Sequence, residues 1–274
     1  MDAVCIGWDA RLGTNVAKIV REAQDRGVKY FACNGCSESD WEEVIAIGRE
    51  HEAVIPNLGL HPWWVKQRTD SWVVRLRQLL IAHPGAGLGE CGLDHARADG
   101  VGSEEQAAVF SEQLRLGKEL QRPISVHCVK AFGELSNIVQ KAGPFPAGLV
   151  LHSWMGSAEM TKQLARIEGV YFSISGHTLG LSDKKLGPML QQIPLARLLL
   201  ETDSPDGMPP LQKRHSSEQA LHLAGGSDGM ACQNHPANVR AVLAAVSLFR
   251  DQSNETIAAS AFSNACKVFR VPPE

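Results

Sequence analysis

Eight short runs of β-prone residues alternate with segments of helical character, and this alternation constrains the fold more than any other feature of the sequence. The predicted strands are Ala3–Ile6, Lys29–Cys33, Ala53–Leu60, Ala86–Gly89, Ile124–His127, Gly148–His152, Val170–Ser175 and Arg197–Glu201. Several of these runs are apolar without interruption, which is typical of parallel strands that helices cover on both faces. The pattern predicts an α/β fold of the (β/α)8 TIM barrel type, with an open doubly wound sheet as the alternative.

Helical segments fill the intervals between these strands. They are Gly13–Asp25, Asp40–Glu50, Trp72–Leu80, Glu104–Leu120, Phe132–Lys141, Glu159–Arg166 and Lys185–Gln192, and two more helices are expected after Pro236. Ser103 and Gln106 have the spacing of a capping box at one helix start. The segment Asp206–Asn234 is predicted to be a long irregular excursion. A chain of 274 residues can form one barrel, so we expect a single domain over 1–274.

Composition and charge exclude several classes of protein. The formal net charge of −3 provides no general attraction to long duplex nucleic acid, so a phosphate substrate would need local help such as metal ions. No run of about 18 apolar residues is present, and the amino terminus has no basic leader. Seven scattered cysteines favour reduced thiols. We therefore expect a soluble, cytoplasmic monomer, with a nuclear or organellar location as the alternative.

Histidine and acidic side chains recur where the predicted strands end. These residues are His61, Glu90, His127, His152 and Asp203. The carboxyl ends of barrel strands meet around one mouth, where barrel enzymes place their catalytic groups. Histidines and carboxylates together suit a divalent metal ion, so the sequence predicts a metal site at this mouth.

The motifs around these residues resemble the TatD-type metal-dependent hydrolases, in their plant-like branch. The matching segments are GLHP at 59–62, GECGLD at 89–94, SVHC at 125–128, LHSWMGS at 151–157, LLLETDSPD at 198–206 and NHPAN at 234–238. The resemblance extends from about Gly27 to Phe269. It implies an amidohydrolase-like barrel with a two-metal site that hydrolyses phosphodiesters, typically as a 3′-5′ exonuclease on single-stranded DNA.

The resemblance also implies a role for each residue. Glu90 corresponds to the carboxylate that bridges both metals, His127 and His152 to ligands of one metal, and Asp203 to a ligand of the other metal that also positions the attacking water. His61 would contact a substrate phosphate or support the metal ligands. The implied ions are Mg²⁺ or Mn²⁺, with Zn²⁺ as the alternative, at one or two per chain.

The first strand departs from the family pattern. Members usually carry two histidines there as HxH, whereas this chain has Val4 and Ile6, which offer no lone pair to a metal. Three explanations are open: a hydrolase with one metal or a loosely held second one, a catalytically impaired barrel with a binding role, or an altered first exon. A metal hydrolase acting on another small substrate is a further alternative, because fold does not fix substrate. Cys5, Asp9 and His177 are candidate replacement ligands, and packing is the simpler role for Cys5.

Other residues near the strand ends have candidate supporting roles. Trp63, Trp64 and Trp154 are candidate platforms for unpaired bases, with rim packing as the alternative. Asp94 is a candidate orienter of a ligand or water. Candidate phosphate contacts are His177, Arg97, Lys130, Lys213 and Arg214. Cys33 and Cys36 form a CxxC without a redox context, and Asn34-Gly35 between them is predicted to be a tight turn. Cys91 and Cys128 are predicted to serve in packing.

Overall fold

A computed structural model describes residues 3–9, 16–97, 100–210 and 234–273, with the backbone alone described for 3–9. Its strands are β1 Ala3–Asp9, β2 Val28–Gly35, β3 Val54–Leu58, β4 Gly87–Asp94, β5 Ile124–Val129, β6 Leu149–Leu151, β7 Val170–Ile174 and β8 Leu198–Leu200. The helices are α1 Val16–Gln24, α2 Trp41–Glu50, α3 Trp72–Ala82, α4 Ser103–Glu119, α5 Phe132–Ala142, α6 Ala158–Leu164, α7 Gly176–Leu179, α8 Asp183–Gln192, α9 Val239–Arg250 and α10 Asn254–Phe269.

The eight strands form one parallel sheet in the order of the chain, from β1 to β8. Since β1 also lies beside β8, the sheet closes on itself and the helices cover its outside. The predicted (β/α)8 barrel is therefore confirmed, and the open sheet is excluded.

Two predictions of local structure near the ends of the strands are wrong. Asn34-Gly35 is not a turn, because both residues complete β2 and Asn34 lies opposite Asp9 of β1 in the register. The strands that carry Glu90 and His127 run on to Asp94 and Val129, so neither residue ends its strand. The polar character of Glu90 and His127 suggested that the strands end at these residues. Their side chains are instead buried or nearly buried at the barrel mouth, and the hydrogen-bonded pairing of β4 with β5 continues past them to Asp94 and Val129.

The interior of the barrel changes from apolar to polar over two residues along five of the eight strands, β2, β3, β6, β7 and β8. At the amino-terminal end, five strand residues pack against Ala265, Val268 and Phe269 of α10, which closes that end. Those five residues are Ala32, Ile55, Val150, Tyr171 and Leu199. The residues two positions later point to the same side of their strands, and all are buried and polar. They are Asn34, Asn57, His152, Ser173 and Glu201.

Helix α4 holds the backbone near this polar layer through two buried glutamines on one face. Gln106 accepts a hydrogen bond from the Asp94 N–H (2.9 Å) and donates to the Asp94 carbonyl (3.1 Å). Gln113 does the same for Leu60, at 2.7 and 3.0 Å. The predicted capping box is wrong: Gly102 is the N-cap, and the Gln106 side chain is committed to Asp94. The α4 glutamines thus fix the chain directly before His61 and around Asp94.

Replacing Gln113 by leucine is expected to lower the free energy of unfolding by about 3 kcal/mol, because the Leu60 N–H and carbonyl would remain buried without partners. Urea denaturation measures the change. The matched control is Gln163→Leu on α6, where the side chain is exposed and donates a hydrogen bond to Glu159. Equal stability of the two variants would contradict the role of Gln113 in holding the backbone of Leu60.

Candidate metal and hydrolytic site

The structure brings together the side chains that the sequence placed at the barrel mouth. Glu90 is the central residue: its Oε1 atom lies 3.1 Å from Nδ1 of His127, 3.5 Å from Nε2 of His152 and 3.9 Å from Nε2 of His61. The Glu90 residue is only 7% exposed, so these contacts are largely shielded from solvent. One carboxylate oxygen thus faces three imidazole rings.

Asp203 extends this cluster toward the surface. Its Oδ1 atom lies 3.3 Å from Nε2 of His152, and its Oδ2 atom lies 3.3 Å from Nε2 of His177. His177 belongs to α7, a short helix that the sequence did not predict, and its side chain is half exposed. The short helix after β7 therefore places the half-exposed His177 beside Asp203, which follows β8.

A second carboxylate supports His127 on the side of the ring that faces away from Glu90. Asp94 Oδ2 lies 3.2 Å from Nε2 of His127 and accepts a hydrogen bond from Nε1 of Trp63 at 2.7 Å. The backbone N–H groups of Ala96 and Arg97 donate to its other oxygen. With Nε2 bonded to Asp94, the Nδ1 atom of His127 is directed at Glu90. Asp94 thus has the position expected of a residue that orients a metal ligand.

Glu201 lies against the other ring nitrogen of His152 as an ion-pair partner, and sequence reasoning missed it. Its Oε1 atom lies 2.9 Å from Nδ1 of His152 and accepts hydrogen bonds from the N–H and hydroxyl of Ser153, at 2.5 and 2.9 Å. Glu201 is fully buried. The sequence signal was an acidic residue directly after the apolar run Leu198–Leu200, two residues before Asp203.

Sequence reasoning also missed two asparagines beneath Glu90. Asn57 donates to Oδ1 of Asn34 at 3.0 Å, and Asn34 donates to Oε2 of Glu90 at 3.4 Å. The chain can accommodate Asn57 because Gly87 lies opposite it, where a Cβ atom would overlap the amide oxygen of Asn57. This amide pair leaves Oε1 of Glu90 to the histidines. Amides at the ends of otherwise apolar strands were the available signal.

The charges of the cluster shift its pKa values strongly. Burial alone would raise the pKa of Glu90, but the charge of His152 and the hydrogen bond with His127 lower it to about 2. Burial opposes protonation of His152, yet Glu201 and Glu90 raise its pKa well above the usual range. Burial would raise the pKa of Asp203, but His152 and His177 lower it. The mouth therefore holds ionised carboxylates that stabilise positive charge.

His61 differs from the other two buried histidines. Burial and the neighbouring charge on His127 lower its pKa to about 3, so its ring is neutral at neutral pH. Its Nδ1 atom accepts a hydrogen bond from the Trp63 N–H at 3.2 Å, which places the ring proton on Nε2, toward Glu90. His61 thus presents a hydrogen-bond donor to the mouth.

The donor set fits a divalent cation. His127 and His152 each have one ring nitrogen beside a carboxylate and the other directed at Glu90, an arrangement common around metal-binding histidines. The ligand atoms of His61, Glu90 and His127 lie within 4.8 Å of one another and form one group that could hold a metal ion. Because the backbone N–H of Trp63 bonds to Nδ1 of His61, the ring proton lies on Nε2 and leaves no lone pair there for a metal. Glu90, His127 and His152 are therefore the better candidate ligands.

The remaining predicted residues have different positions. Trp63 lies at the mouth with Arg97 stacked 4.4 Å from its ring centroid. Trp154 is no base platform: it is 1% exposed and packs between Phe132 and Phe172. Trp64 packs against the core, and Cys33, Cys91 and Cys128 are buried in it, as predicted for the last two. Side chains of Val4, Cys5, Ile6 and Asp9, and all of Lys213 and Arg214, lie outside the described residues.

Comparison with known proteins identifies relatives over nearly the whole chain. A sequence model of the family described as TatD related DNase matches residues 7–270. The 3′-5′ ssDNA/RNA exonuclease TatD of Cronobacter sakazakii is 29% identical over 258 residues, covering 92% of this chain and 90% of that protein. The metal-dependent hydrolase YjjV of Escherichia coli is 27% identical over 262 residues, covering 95% of this chain and 93% of that protein.

Two solved structures share the fold. The crystal structure of YjjV from E. coli superposes with a TM-score of 0.83 at 23% identity and covers 98% of each chain. A TatD family hydrolase from Entamoeba histolytica superposes with a TM-score of 0.84 at 19% identity, covering 99% of this chain and all of that one. In the described part of this chain, no helix has the length and apolar character needed to cross a bilayer.

Replacing His61 by glutamine is expected to flatten the pH dependence of stability in metal-free protein. An unfolded histidine binds a proton below about pH 6.5, whereas folded His61 stays neutral down to about pH 3, so the wild-type protein loses stability as pH falls through this window. Relative to the variant, the loss approaches about 1.4 kcal/mol per pH unit.

Urea denaturation between pH 6.5 and 4.5 tests this expectation, with His51→Gln as the control at the half-buried end of α2. Parallel stability curves for wild type and His61→Gln would contradict a neutral, buried His61.

Proposed function

Because the chain belongs to the TatD-related DNase family of metal-dependent hydrolases, we propose that it hydrolyses phosphodiester bonds at the 3′ ends of single-stranded DNA. The observation that carries the proposal is the contact of Glu90 with His127 and His152, with Asp203 also beside His152. The names of relatives as single-strand exonucleases support the choice of substrate.

In this proposal, Nδ1 of His127, Nε2 of His152 and the carboxylates of Glu90 and Asp203 hold one or two divalent cations. When bound, Mg²⁺ or Mn²⁺, or alternatively Zn²⁺, supplies Lewis acidity toward the scissile phosphate. Asp94 and Glu201 keep the two histidine rings in their ligating orientation. The amide of Asn34 holds the second oxygen of Glu90.

The other residues of the mouth contact the substrate or orient the attacking water. The Nε2–H of His61 donates a hydrogen bond to a non-bridging phosphate oxygen, for which its neutral ring and fixed tautomer suit it. Asp203 accepts a hydrogen bond from the attacking water, and His177 keeps Asp203 oriented. The stack of the partly exposed Trp63 and the exposed Arg97 receives an unpaired base.

A second candidate function follows from the first strand. Val4 and Ile6 replace the family's HxH histidines, so the site that shares Asp203 has fewer protein ligands. A catalytically impaired barrel that binds nucleic acid would explain this loss. If the wild-type protein is inactive and Val4→His with Ile6→His restores cleavage, the second function is favoured.

Glu90→Gln is expected to reduce nucleotide release from single-stranded DNA by about 100-fold or more, since even residues that only support a metal ligand typically contribute 10- to 100-fold. The assay follows 3′- and 5′-labelled strands in Mg²⁺ or Mn²⁺, because the two labels reveal the direction of digestion. Glu43→Gln is the matched control, an exposed glutamate in the first turn of α2.

Activity that is equal in wild type and Glu90→Gln would contradict the assigned site. Cleavage of carboxylic esters or amides without any phosphodiester cleavage would favour another substrate class.

A further inference from the structure

A cavity of about 180 Å³ opens at the opposite end of the barrel from Glu90. It lies beside Ile124, the first residue of β5, and the chain that leads into β6. Its wall combines two buried apolar side chains, Ile124 and Phe145, with three cationic ones, Lys118, Arg122 and Arg270. The cavity is separate from the proposed active site because it adjoins the amino-terminal ends of the strands.

Among the residues that the structure describes, those that line this cavity include no carboxylate, although the protein as a whole carries a net charge of −3. The three cations donate instead to backbone carbonyls. Lys118 bonds to the carbonyl of Ala142, Arg270 to that of Gln121 (2.9 Å), and Arg122 to those of Leu80 (2.8 Å) and Pro84. A carbonyl fixes the position of a cation but carries no net charge that neutralises it.

Arg122 shows the consequence of this missing neutralisation. Burial, together with the nearby charge of Arg270, lowers its pKa. Its Nε–H is buried and finds no acceptor within the described part of the chain. The guanidinium groups of Arg122 and Arg270 therefore repel each other in a partly buried position. A bound anion would offset this repulsion.

The carbonyls that accept from Lys118 and Arg122 lie at the carboxyl ends of α5 and α3. Each helix end carries roughly half a negative charge at most, and this effect is limited to the last turn. Three full positive charges exceed the partial charges of these ends. The helix ends thus pre-organise the cations without neutralising them.

We propose that this cavity binds a phosphate group, either free or carried by a small nucleotide. Guanidinium groups suit phosphate because their planar donors match its oxygens, and lysine adds a compact charge. The volume is below the range of roughly 300–1,000 Å³ that accommodates drug-sized ligands, so the site takes a compact anion. The apolar wall of Phe145 and Ile124 lowers the local dielectric and strengthens the attraction.

Isothermal titration of metal-free protein with inorganic phosphate at constant ionic strength tests the proposal. In EDTA the carboxylates of the mouth repel phosphate, so saturable binding reports on the far cavity. Lys118→Met and Arg270→Met are each expected to weaken binding about 10-fold, because a hydrogen bond to a charged group contributes about 1.5–3 kcal/mol. Both side chains are exposed, so folding should persist, and circular dichroism verifies it.

Two control variants make the result specific. Arg197→Met removes a cation that lies just before β8, bonds to a carbonyl and stacks on Tyr171, yet does not line the cavity, so it should bind phosphate as wild type does. Glu90→Gln should also bind normally, which separates this site from the proposed catalytic one. A parallel titration with deoxyadenosine monophosphate distinguishes the sources: tighter binding than phosphate indicates a nucleotide, and equal or weaker binding indicates the free ion.

Absence of saturable phosphate binding to wild type would overturn the proposal. Equal affinities for wild type, Lys118→Met and Arg270→Met would overturn it as well. Neither result depends on nuclease activity, so the proposed function is tested separately.

Discussion

Negative charge concentrated in a nearly closed space is the constraint on which the barrel mouth depends. In the described part of the chain, Glu90, Asp94, Glu201 and Asp203 surround the rings of His127 and His152 at distances of 2.9 to 3.5 Å. Buried carboxylates are costly unless positive charge and hydrogen bonds accompany them. Without a metal, protonated imidazoles supply that charge, and a divalent cation would supply it more completely. The same electrostatic requirement thus explains the raised histidine pKa values and the fitness of the site for metal.

The rest of the fold positions this charged layer. An apolar layer closes the amino-terminal end of the barrel, and two residues later the same strands supply the polar layer. Gln106 and Gln113 of α4 hold the backbone at Asp94 and Leu60. Glu90, His127 and His152 therefore each contact a neighbour that is itself buried, namely Asn34, Asp94 and Glu201, as a site with defined geometry requires.

Much of this arrangement was predictable from sequence, because apolar runs mark buried strands and polar residues at their ends mark the mouth. Glu90, His127, His152 and Asp203 were identified in this way and the structure brings them together, although the strands of Glu90 and His127 run on to Asp94 and Val129. Asn34, Asn57 and Glu201 were not identified, since their importance lies in contacts with residues distant in sequence. Trp154 was ambiguous for the opposite reason: its position after His152 suggested the mouth, but Phe132 and Phe172 enclose it. The pattern of apolar residues predicts which strand a residue belongs to. Its contacts depend on how strands and helices that are distant in sequence pack together.

The central claim is that the buried carboxylates prepare the histidines to hold a metal, and Mn²⁺ binding tests it most directly. Titration followed by electron paramagnetic resonance gives the number and affinity of bound ions without relying on turnover. The account predicts that wild type binds one or two Mn²⁺ ions, and that Glu201→Gln weakens binding by roughly 10- to 100-fold because His152 loses its orienting carboxylate. Mn²⁺ affinity that is unchanged in Glu201→Gln, or no binding to wild type, would contradict it.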